Sequence, residues 1–235
     1  MTLLGIETAT SVCGAAVLED GALAALEEVN ERRVHAERLL PLIDAALRKS
    51  GRTAATLGAI AVSIGPGSFT GLRIGLSIAK GLVLATGVPL VAVPTLEALA
   101  SRSARAGRVD GLILAALDAR RDEVYCQLFE AAGGEIRPLW DPRDLAVDRL
   151  VAELGERELL VTGDGRAKVM ACAGEGAARM REPDAAAAVC SAADVARLGE
   201  VLALAGKTED PALLEPRYIK EFFLNSAGRI GVNAR

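Results

Sequence analysis

The chain has 235 residues, of which 51% are hydrophobic and 25% are charged, and its formal net charge is -4 at pH 7. This length and composition are typical of a folded protein with one large or two small domains that needs neither disulfides nor metals to form a core. Aromatic residues make up only 3% of the chain, too few for the stacking platforms that bind single-stranded nucleic acid, and the negative charge does not attract phosphate. We therefore expect any nucleic acid to be reached through another subunit.

The cysteines and the histidine limit the possible chemistry further. The four cysteines are far apart and form no C-x-x-C pair, which predicts reduced thiols rather than a zinc site. The single histidine, His35, lies among charged residues at a predicted helix start, so a catalytic triad or a histidine metal site has too few candidates. The carboxylate of Glu7 comes before the apolar segment that a signal peptide would need. No uninterrupted run of about 18 apolar residues, the length of a membrane-spanning helix, occurs. We expect a cytoplasmic protein.

The first half of the chain predicts strands, helices and one β-loop-α-β unit. Asp20-Gly21 is a tight-turn signal between two apolar strands, and the apolar spacing after His35 is helical. A β-loop-α-β unit favours parallel strand pairing. The predicted elements are strands within residues 3–29, a helix over 35–49, a strand over 59–64, a helix from Ser68 or Thr70 through 85, a strand over 88–93 and a helix from 94 to about 105.

The second half repeats this order. The polar stretch 101–110 is the predicted boundary, which divides the chain into an N-terminal lobe, 1–106, and a C-terminal lobe, 107–235, whose tail packs back on the first lobe. The tail from Pro211 onward is less periodic. The predicted elements of this lobe are strands over 111–117 and 124–129, a helix over 144–154, a strand over 159–162 and a helix over 192–205 that completes the lobe.

A glycine-rich segment, residues 65–73 (Gly-Pro-Gly-Ser-Phe-Thr-Gly-Leu-Arg), joins a predicted strand to a helix N-terminus. Free backbone N–H groups there could hold a phosphate. However, no lysine follows at the spacing of a P-loop, and the third glycine of the dinucleotide fingerprint is missing. A tight structural turn is the alternative interpretation.

The helix that follows this segment is apolar on nearly all sides. Gly71, Gly75 and Ala79 place small residues on one stripe, while leucines cover other faces. A helix with two apolar faces needs a second neighbour besides its own sheet. The neighbour is either the helix over 35–49 or a partner protein, and the sequence leaves both open.

Polar side chains end several predicted strands, the usual position of ligand-contacting groups in open α/β sheets. These residues either face a nucleotide or are ordinary turn residues. They are Glu7, Thr8 and Thr10 after the first strand, Asp118 in the turn 118–123, and Gly163 with Asp164 in the turn 163–165.

Several segments, in order, closely resemble the bacterial TsaB (YeaZ) family, and the third is the most specific. The match extends over most of residues 1–165 and to Pro216-Arg217-Tyr218-Ile219-Lys220, which resembles the family's ending. The segments are Ile-Glu-Thr-Ala-Thr (6–10), His-Ala-Glu-Arg-Leu-Leu-Pro (35–41), Gly-Pro-Gly-Ser-Phe-Thr-Gly-Leu-Arg-Ile-Gly (65–75), Asp-Ala-Arg-Arg-Asp-Glu-Val-Tyr (118–125) and Gly-Asp-Gly (163–165).

This resemblance implies an α/β, two-lobed, actin-like (ASKHA, RNase H-like) fold, each lobe a mixed sheet with flanking helices. It implies a non-catalytic subunit in the formation of N6-threonylcarbamoyladenosine at position 37 of tRNA. The implied partners are a TsaD-type transferase paralogue, which the chain binds and activates, a TsaE-type ATPase, a second copy of the chain when it is alone, and tRNA through the complex. The resemblance implies no cofactor, although weak ATP or ADP binding is possible. It also implies no contact with a membrane.

The family is thought to pack its two helices against the paralogue or a second copy. The expected interface residues are therefore His35, Leu39, Leu40, Ile43, Leu47, Phe69, Leu72, Arg73, Gly75, Leu76, Ala79 and Lys80. Glu7 stands where many members have Asp, and the alanine-rich run Ala185 to Val189 matches no functional motif.

Two other functions are weighed against this one. A stand-alone ASKHA enzyme, such as a small-molecule kinase or ATPase, would need a glycine-rich adenosine loop and paired carboxylates for Mg²⁺, and here only scattered candidates occur. A self-contained peptidase would have no base except His35.

Overall fold

The first lobe contains a five-stranded sheet with strand order β3-β2-β1-β4-β5. The computed structural model describes residues 1–219 of the chain. Strands β1 to β3 pair antiparallel, whereas β1, β4 and β5 run parallel, as the β-loop-α-β unit predicts. The strands are β1 (Thr2–Glu7), β2 (Val12–Glu19), β3 (Ala22–Asn30), β4 (Ala59–Gly65) and β5 (Leu90–Pro94).

The second lobe repeats this arrangement, in agreement with the predicted repeat. Its sheet has the order β11-β10-β6-β7-β8, with β9 paired to β7, so a central strand again has antiparallel neighbours on one side and parallel neighbours on the other. The strands are β6 (Gly111–Asp118), β7 (Glu123–Ala132), β8 (Glu135–Pro138), β9 (Arg143–Ala146), β10 (Leu159–Thr162) and β11 (Met180–Arg181).

Six α-helices lie within the described part of the chain. Helix α1 carries acidic Glu37 in its first turn and basic residues in its last turn, charges that suit the helix dipole. Helix α2 is capped at its start by the Ser68 side chain and at its end by Gly87, whose φ of 73° is left-handed. The helices are α1 (His35–Lys49), α2 (Phe69–Thr86), α3 (Thr95–Gly107), α4 (Val147–Leu154), α5 (Arg166–Ala173) and α6 (Ala192–Leu204).

Helices α1 and α2 cover one face of the first sheet. Leu4 and Ile6 of β1 point into this layer, where they join Leu39 and Leu76 of the two helices. The alternate residue of β1, Leu3, points to the opposite face. The period of two along the strand therefore builds two cores, one on each face of the sheet.

Helix α6 packs on the first sheet, so the prediction that it completes the second lobe is wrong. Its residues Ala192 and Ala196 join Leu3 in the second core of the first lobe. Glycine makes this packing possible, because a Cβ on Gly5 would lie 2.6 Å from the Ala196 N and one on Gly199 would lie 2.3 Å from a β4 side chain. The sequence shows the small residues of α6 but not the sheet that they approach.

Helix α3 makes the reciprocal crossing. It follows β5 of the first sheet, but Leu96, Leu99 and Ala100 pack in the core of the second lobe with Ile113 and Phe129. Helix α3 ends at Gly107, next to the predicted boundary. Each lobe thus supplies one helix to the core of the other, which ties the two lobes together.

The residues after α6 continue along the first lobe. Glu209 N donates to Leu90 O at 2.9 Å, and Arg217 N donates to Ile64 O at 2.7 Å. The tail therefore contacts the amino end of β5 first and the carboxyl end of β4 afterwards. Lys220, the last residue of the segment that resembles the family's ending, lies outside the described residues.

Helix α2 is long and apolar enough to meet the length and composition criteria for a membrane span. Core helices of globular proteins meet the same criteria, and Leu72, Leu76 and Val83 of α2 are buried against its own sheet. The predictions of a cytoplasmic location and of no membrane contact stay predictions.

Candidate partner interface and interlobe cleft

The turn between β1 and β2 is held by hydrogen bonds within the chain. Glu7 is fully buried, and its Oε1 accepts a hydrogen bond of 2.6 Å from Ala9 N. Thr8 N donates to Ser63 Oγ on β4 at 3.2 Å. Two backbone donors that could otherwise point at a phosphate therefore have partners inside the protein.

Two buried oxygen atoms of this turn, Glu7 Oε2 and Thr8 Oγ1, have no hydrogen-bond partner within the described structure. Burial raises the pKa of Glu7 to about 7, while the Ala9 amide and the Ser63 hydroxyl act in the opposite direction. Protonation near neutral pH relieves the cost of keeping a charged carboxylate away from water.

The small residues at the start of α2 pack against this turn. A Cβ on Gly67 would lie 2.2 Å from Ala9 O, one on Gly71 would lie 2.1 Å from Thr8 O, and one on Gly75 would lie 2.2 Å from Thr8 Oγ1. All three distances are shorter than atoms can approach, so only glycine fits. The expectation that Gly75 lies at an association interface is therefore wrong, because the stripe faces the chain's own β1–β2 turn.

We use the name interlobe cleft for the region between the β1–β2 turn of the first lobe and the turns that follow β6 and β10 in the second lobe. Two aspartates lie together on its second-lobe side. Asp118 N donates to Asp164 Oδ1 at 2.9 Å, and Lys168 Nζ donates to Asp118 Oδ1 at 2.7 Å. Burial acts to raise the pKa of Asp118, but the Lys168 hydrogen bond and other donors leave that pKa below its usual value. Burial raises the pKa of Asp164. Gly163 comes so close to Ala116 that a Cβ would meet its carbonyl oxygen at 2.0 Å.

Three residues that the sequence did not indicate belong to this cleft. Cys190 is buried, and burial raises its pKa well above the usual range, with further contributions from the negative charges of Glu7 and Asp164. The positive charge of Arg32 acts to lower the pKa of Asp164, against the larger raising effect of burial. Lys168 is the third, and it lies on helix α5, which sequence periodicity did not predict.

The single histidine is part of the scaffold of this site. His35 is buried, and its Nε2 donates to Thr10 O at 3.0 Å, which links the start of α1 to the β1–β2 turn. Within residues 1–219, no group of three or more His, Cys, Asp or Glu side chains is placed to hold a metal ion. Weak binding of ATP or ADP stays a prediction.

The predicted interface residues divide into a buried and an accessible set. Leu40 is 54% exposed, Arg73 is exposed, and Phe69 and Lys80 are partly exposed. The other eight are buried within the chain and cannot contact a partner from that position, which corrects the prediction. They are His35, Leu39, Ile43, Leu47, Leu72, Gly75, Leu76 and Ala79.

The opposite side of the two helices is partly apolar, and its residues are exposed except for Ile74 and Ile78, which are half-buried. We call it the outer face, and it is formed by Ala36, Leu40, Arg73, Ile74, Ser77 and Ile78. A groove of about 480 Å³ lies on this face, lined by α2 residues between Phe69 and Ile78 and by Ala36 of α1, while Leu40 lies outside its lining. Further along α2, Leu84 is 80% exposed. Exposed apolar side chains on adjacent helices are typical of a protein interaction surface.

One end of the groove is ordered by the C-terminal tail. The rings of Phe69 and Tyr218 lie with centroids 5.0 Å apart, and the Arg73 guanidinium lies 3.8 Å above the Phe69 ring. Arg73 Nε donates to the Tyr218 hydroxyl at 2.9 Å. A tail residue thus holds an exposed arginine of α2 in place beside the apolar groove.

We compared the chain with known proteins. A family model described as TsaD, tRNA N6-adenosine threonylcarbamoyltransferase, matches residues 28–213. The tRNA threonylcarbamoyladenosine biosynthesis protein TsaB of Escherichia coli is 42% identical over 125 residues, 53% of each chain. TsaB of Bacillus subtilis is 36% identical over 134 residues, 57% of each chain. The matched part of the chain thus spans about half the length of these curated relatives.

Solved structures extend the likeness to nearly the whole chain. YeaZ from Pseudomonas aeruginosa superposes with a TM-score of 0.77 at 30% identity, over 92% of this chain and 99% of the other. The ROK hexokinase of Thermus thermophilus superposes with a TM-score of 0.52 at 13% identity, over 88% of this chain and 100% of the other, which shows the fold alone.

Two lobes with the same sheet order, joined by crossing helices, define a protein with the two-lobed, actin-like fold. The predicted fold class is confirmed. The chain belongs to the TsaB/YeaZ family of the ASKHA superfamily, since the TsaD family model matches residues 28–213 and YeaZ, at 30% identity, matches 92% of the chain.

Proposed function

We propose that the chain takes part in the formation of N6-threonylcarbamoyladenosine in tRNA, as a non-catalytic subunit that binds and activates a TsaD-type transferase. The observation that carries the proposal is the outer face, where Leu40 of α1 is exposed and the half-buried Ile74 and Ile78 of α2 line a groove. The TsaB name of the relatives supports the pathway.

The contacts in the cleft support a role without catalysis. The donors of the β1–β2 turn are directed at Glu7 and Ser63, and His35 is occupied by Thr10 O. Asp118 is engaged by Lys168. These groups stabilise the scaffold, and none is paired as a nucleophile with a base.

The same face accounts for the proposed partners. An apolar surface on adjacent helices suits a paralogue of the same fold, and a second copy of the chain would cover it when the paralogue is absent. A TsaE-type ATPase and tRNA would join through the assembled complex. A stand-alone kinase or ATPase is the alternative, and its support is the likeness to the hexokinase, which concerns the fold only.

Reconstitution tests the proposal. Unmodified tRNA, a TsaD-type transferase, a TsaE-type ATPase and a threonylcarbamoyl donor are incubated with and without the chain, and the modified nucleoside is quantified by mass spectrometry. We expect modification only when the chain and the transferase are both present. Equal modification without the chain, or modification by the chain alone, would refute the proposed role.

A further inference from the structure

The two helices that cross between the lobes meet at a pocket rich in arginine. The pocket has a volume of about 390 Å³ and lies between α3, α6 and the loop before α6. Because α6 covers the face of the first sheet opposite to α1 and α2, this pocket is separate from the outer face. Its volume falls in the range of small-molecule sites.

A buried carboxylate at the base of the pocket uses two of its three arginines. Asp194 is only 3% exposed, and its two oxygens each pair with one guanidinium, Oδ2 with Arg102 Nη1 and Oδ1 with Arg105 Nη2. Arg102 donates its remaining groups to Ala186 O, at 3.1 and 2.8 Å. Each guanidinium nitrogen of Arg102 and each carboxylate oxygen of Asp194 therefore already has a hydrogen-bond partner.

The third arginine is not used in this way. Arg197 lies three residues after Asp194 on α6, and its hydrogen bond within residues 1–219 is a long contact of 3.4 Å from Nη1 to Ala193 O. No acidic side chain of the described structure pairs with it. Arg105 donates to Ser101 Oγ through Nη1 and to Asp194 through Nη2, so within residues 1–219 its Nε has no partner. Donors of two guanidinium groups thus remain for a ligand.

The charges that line the pocket are three arginines and two carboxylates. Asp184 is the second carboxylate, so the lining carries a net charge of about +1. A guanidinium group binds carboxylate and phosphate oxygens through parallel N–H donors. We propose that this pocket binds a small oxyanion, a phosphate or a dicarboxylate, through Arg197 and Arg105.

The alanine-rich run, residues 185–189, contributes to the lining of this pocket. Ala186 O receives both hydrogen bonds from Arg102, and Ala187 O lies 3.1 Å from Ser103 Oγ of α3. The backbone of the run is therefore fixed against α3 and forms a wall of the pocket. The methyl side chains of Ala186 and Ala187 are part of this lining.

Titration of the full chain with inorganic phosphate and with malonate, at constant ionic strength, tests the proposal. Isothermal calorimetry should show saturable binding of at least one of them. Arg197→Gln should weaken that binding about tenfold or more, since a charge-assisted contact is lost. Arg197→Lys should retain part of it, and circular dichroism should show both variants folded.

Arg149→Gln, which removes an exposed arginine of α4, is the matched control, and its affinity should equal that of the unaltered chain. Preference for phosphate or for malonate tells the two ligand sources apart. No saturable binding of either anion at millimolar concentration overturns the site. An equal loss in the Arg149 variant, or none in the Arg197→Gln variant, overturns it as well.

Discussion

Gly75 of α2 lies directly against Thr8 of the β1–β2 turn, so that a Cβ on Gly75 would come within 2.2 Å of Thr8 Oγ1. This contact explains why α2 carries a stripe of small residues. The stripe lets the helix approach the turn that holds Glu7, and it leaves the opposite side of α2 available for a partner.

Gly75→Ala should therefore destabilise the protein, by about 1 to 3 kcal/mol, because a methyl group is forced into a filled space. Gly81→Ala is the matched control on the same helix, since nothing lies within 4 Å of a Cβ there. It should stabilise the chain by up to about 1 kcal/mol through helix propensity. Urea unfolding measures both changes, and a stable Gly75→Ala variant would mean that the contact is not formed.

Glu7 should make stability fall as pH rises. Its pKa is about 7 in the folded chain and about 4.5 in the unfolded chain, so the folded state binds more protons between these values. The stabilising effect is complete below pH 4.5 and is lost as pH rises through about 7, by roughly 3 kcal/mol at most.

Glu7→Gln removes this titration. The free energy of unfolding of the unaltered chain, measured relative to Glu7→Gln, should decrease from pH 4.5 to pH 7.5. Glu158→Gln, which alters an exposed carboxyl group, serves as the control and should follow the unaltered chain. A pH-independent difference between the unaltered chain and Glu7→Gln would show that Glu7 does not titrate in this range.

Loss of Asp194 should weaken the junction between the lobes. Asp194→Asn leaves Arg102 and Arg105 without their buried counter-ion, and we expect a cost of about 1 to 3 kcal/mol, discounted because the arginines are partly exposed. Asp44→Asn breaks an exposed pair with Arg48 in α1 and should cost no more than about 0.5 kcal/mol. Equal effects in thermal unfolding would contradict a structural role for the buried pair.

ATP should bind weakly to the isolated chain. In addition to the Thr8 and Ala9 donors, Val12 N donates to Thr10 Oγ1 at 3.2 Å, so the turn offers a phosphate few free N–H groups. Calorimetry should show no binding in the micromolar range. A dissociation constant near 1 µM, about -8 kcal/mol, would require a real nucleotide pocket.

Local patterns predicted most of the elements of the first lobe. Helix α1 begins and ends at the predicted residues, His35 and Lys49, since its apolar spacing and terminal charges agree. The Asp20-Gly21 turn has positive φ at both residues, as the dipeptide predicts. Helix α5 was missed because its apolar residues show no helical periodicity.

Long-range relationships were harder to predict. Periodicity identifies an apolar stripe, but it does not show whether the stripe meets the chain's own sheet or a partner, so Leu76 was assigned to the wrong side of α2. A charged residue at Leu76, which is buried, would unfold the lobe rather than block association. Cys190 reaches the cleft only through the loop before α6, and no local pattern marks it.

The affinity of a TsaD-type transferase for the chain tests the central claim most directly. Leu40→Asp places a charge on the outer face, and Val201→Asp places one on α6, where Val201 is 63% exposed. We predict that Leu40→Asp weakens binding by about 2 kcal/mol or more and weakens self-association in parallel, while Val201→Asp stays within about 0.5 kcal/mol of the unaltered chain. Unchanged binding of Leu40→Asp, or an equal loss for Val201→Asp, would contradict the assignment of the outer face as the partner surface.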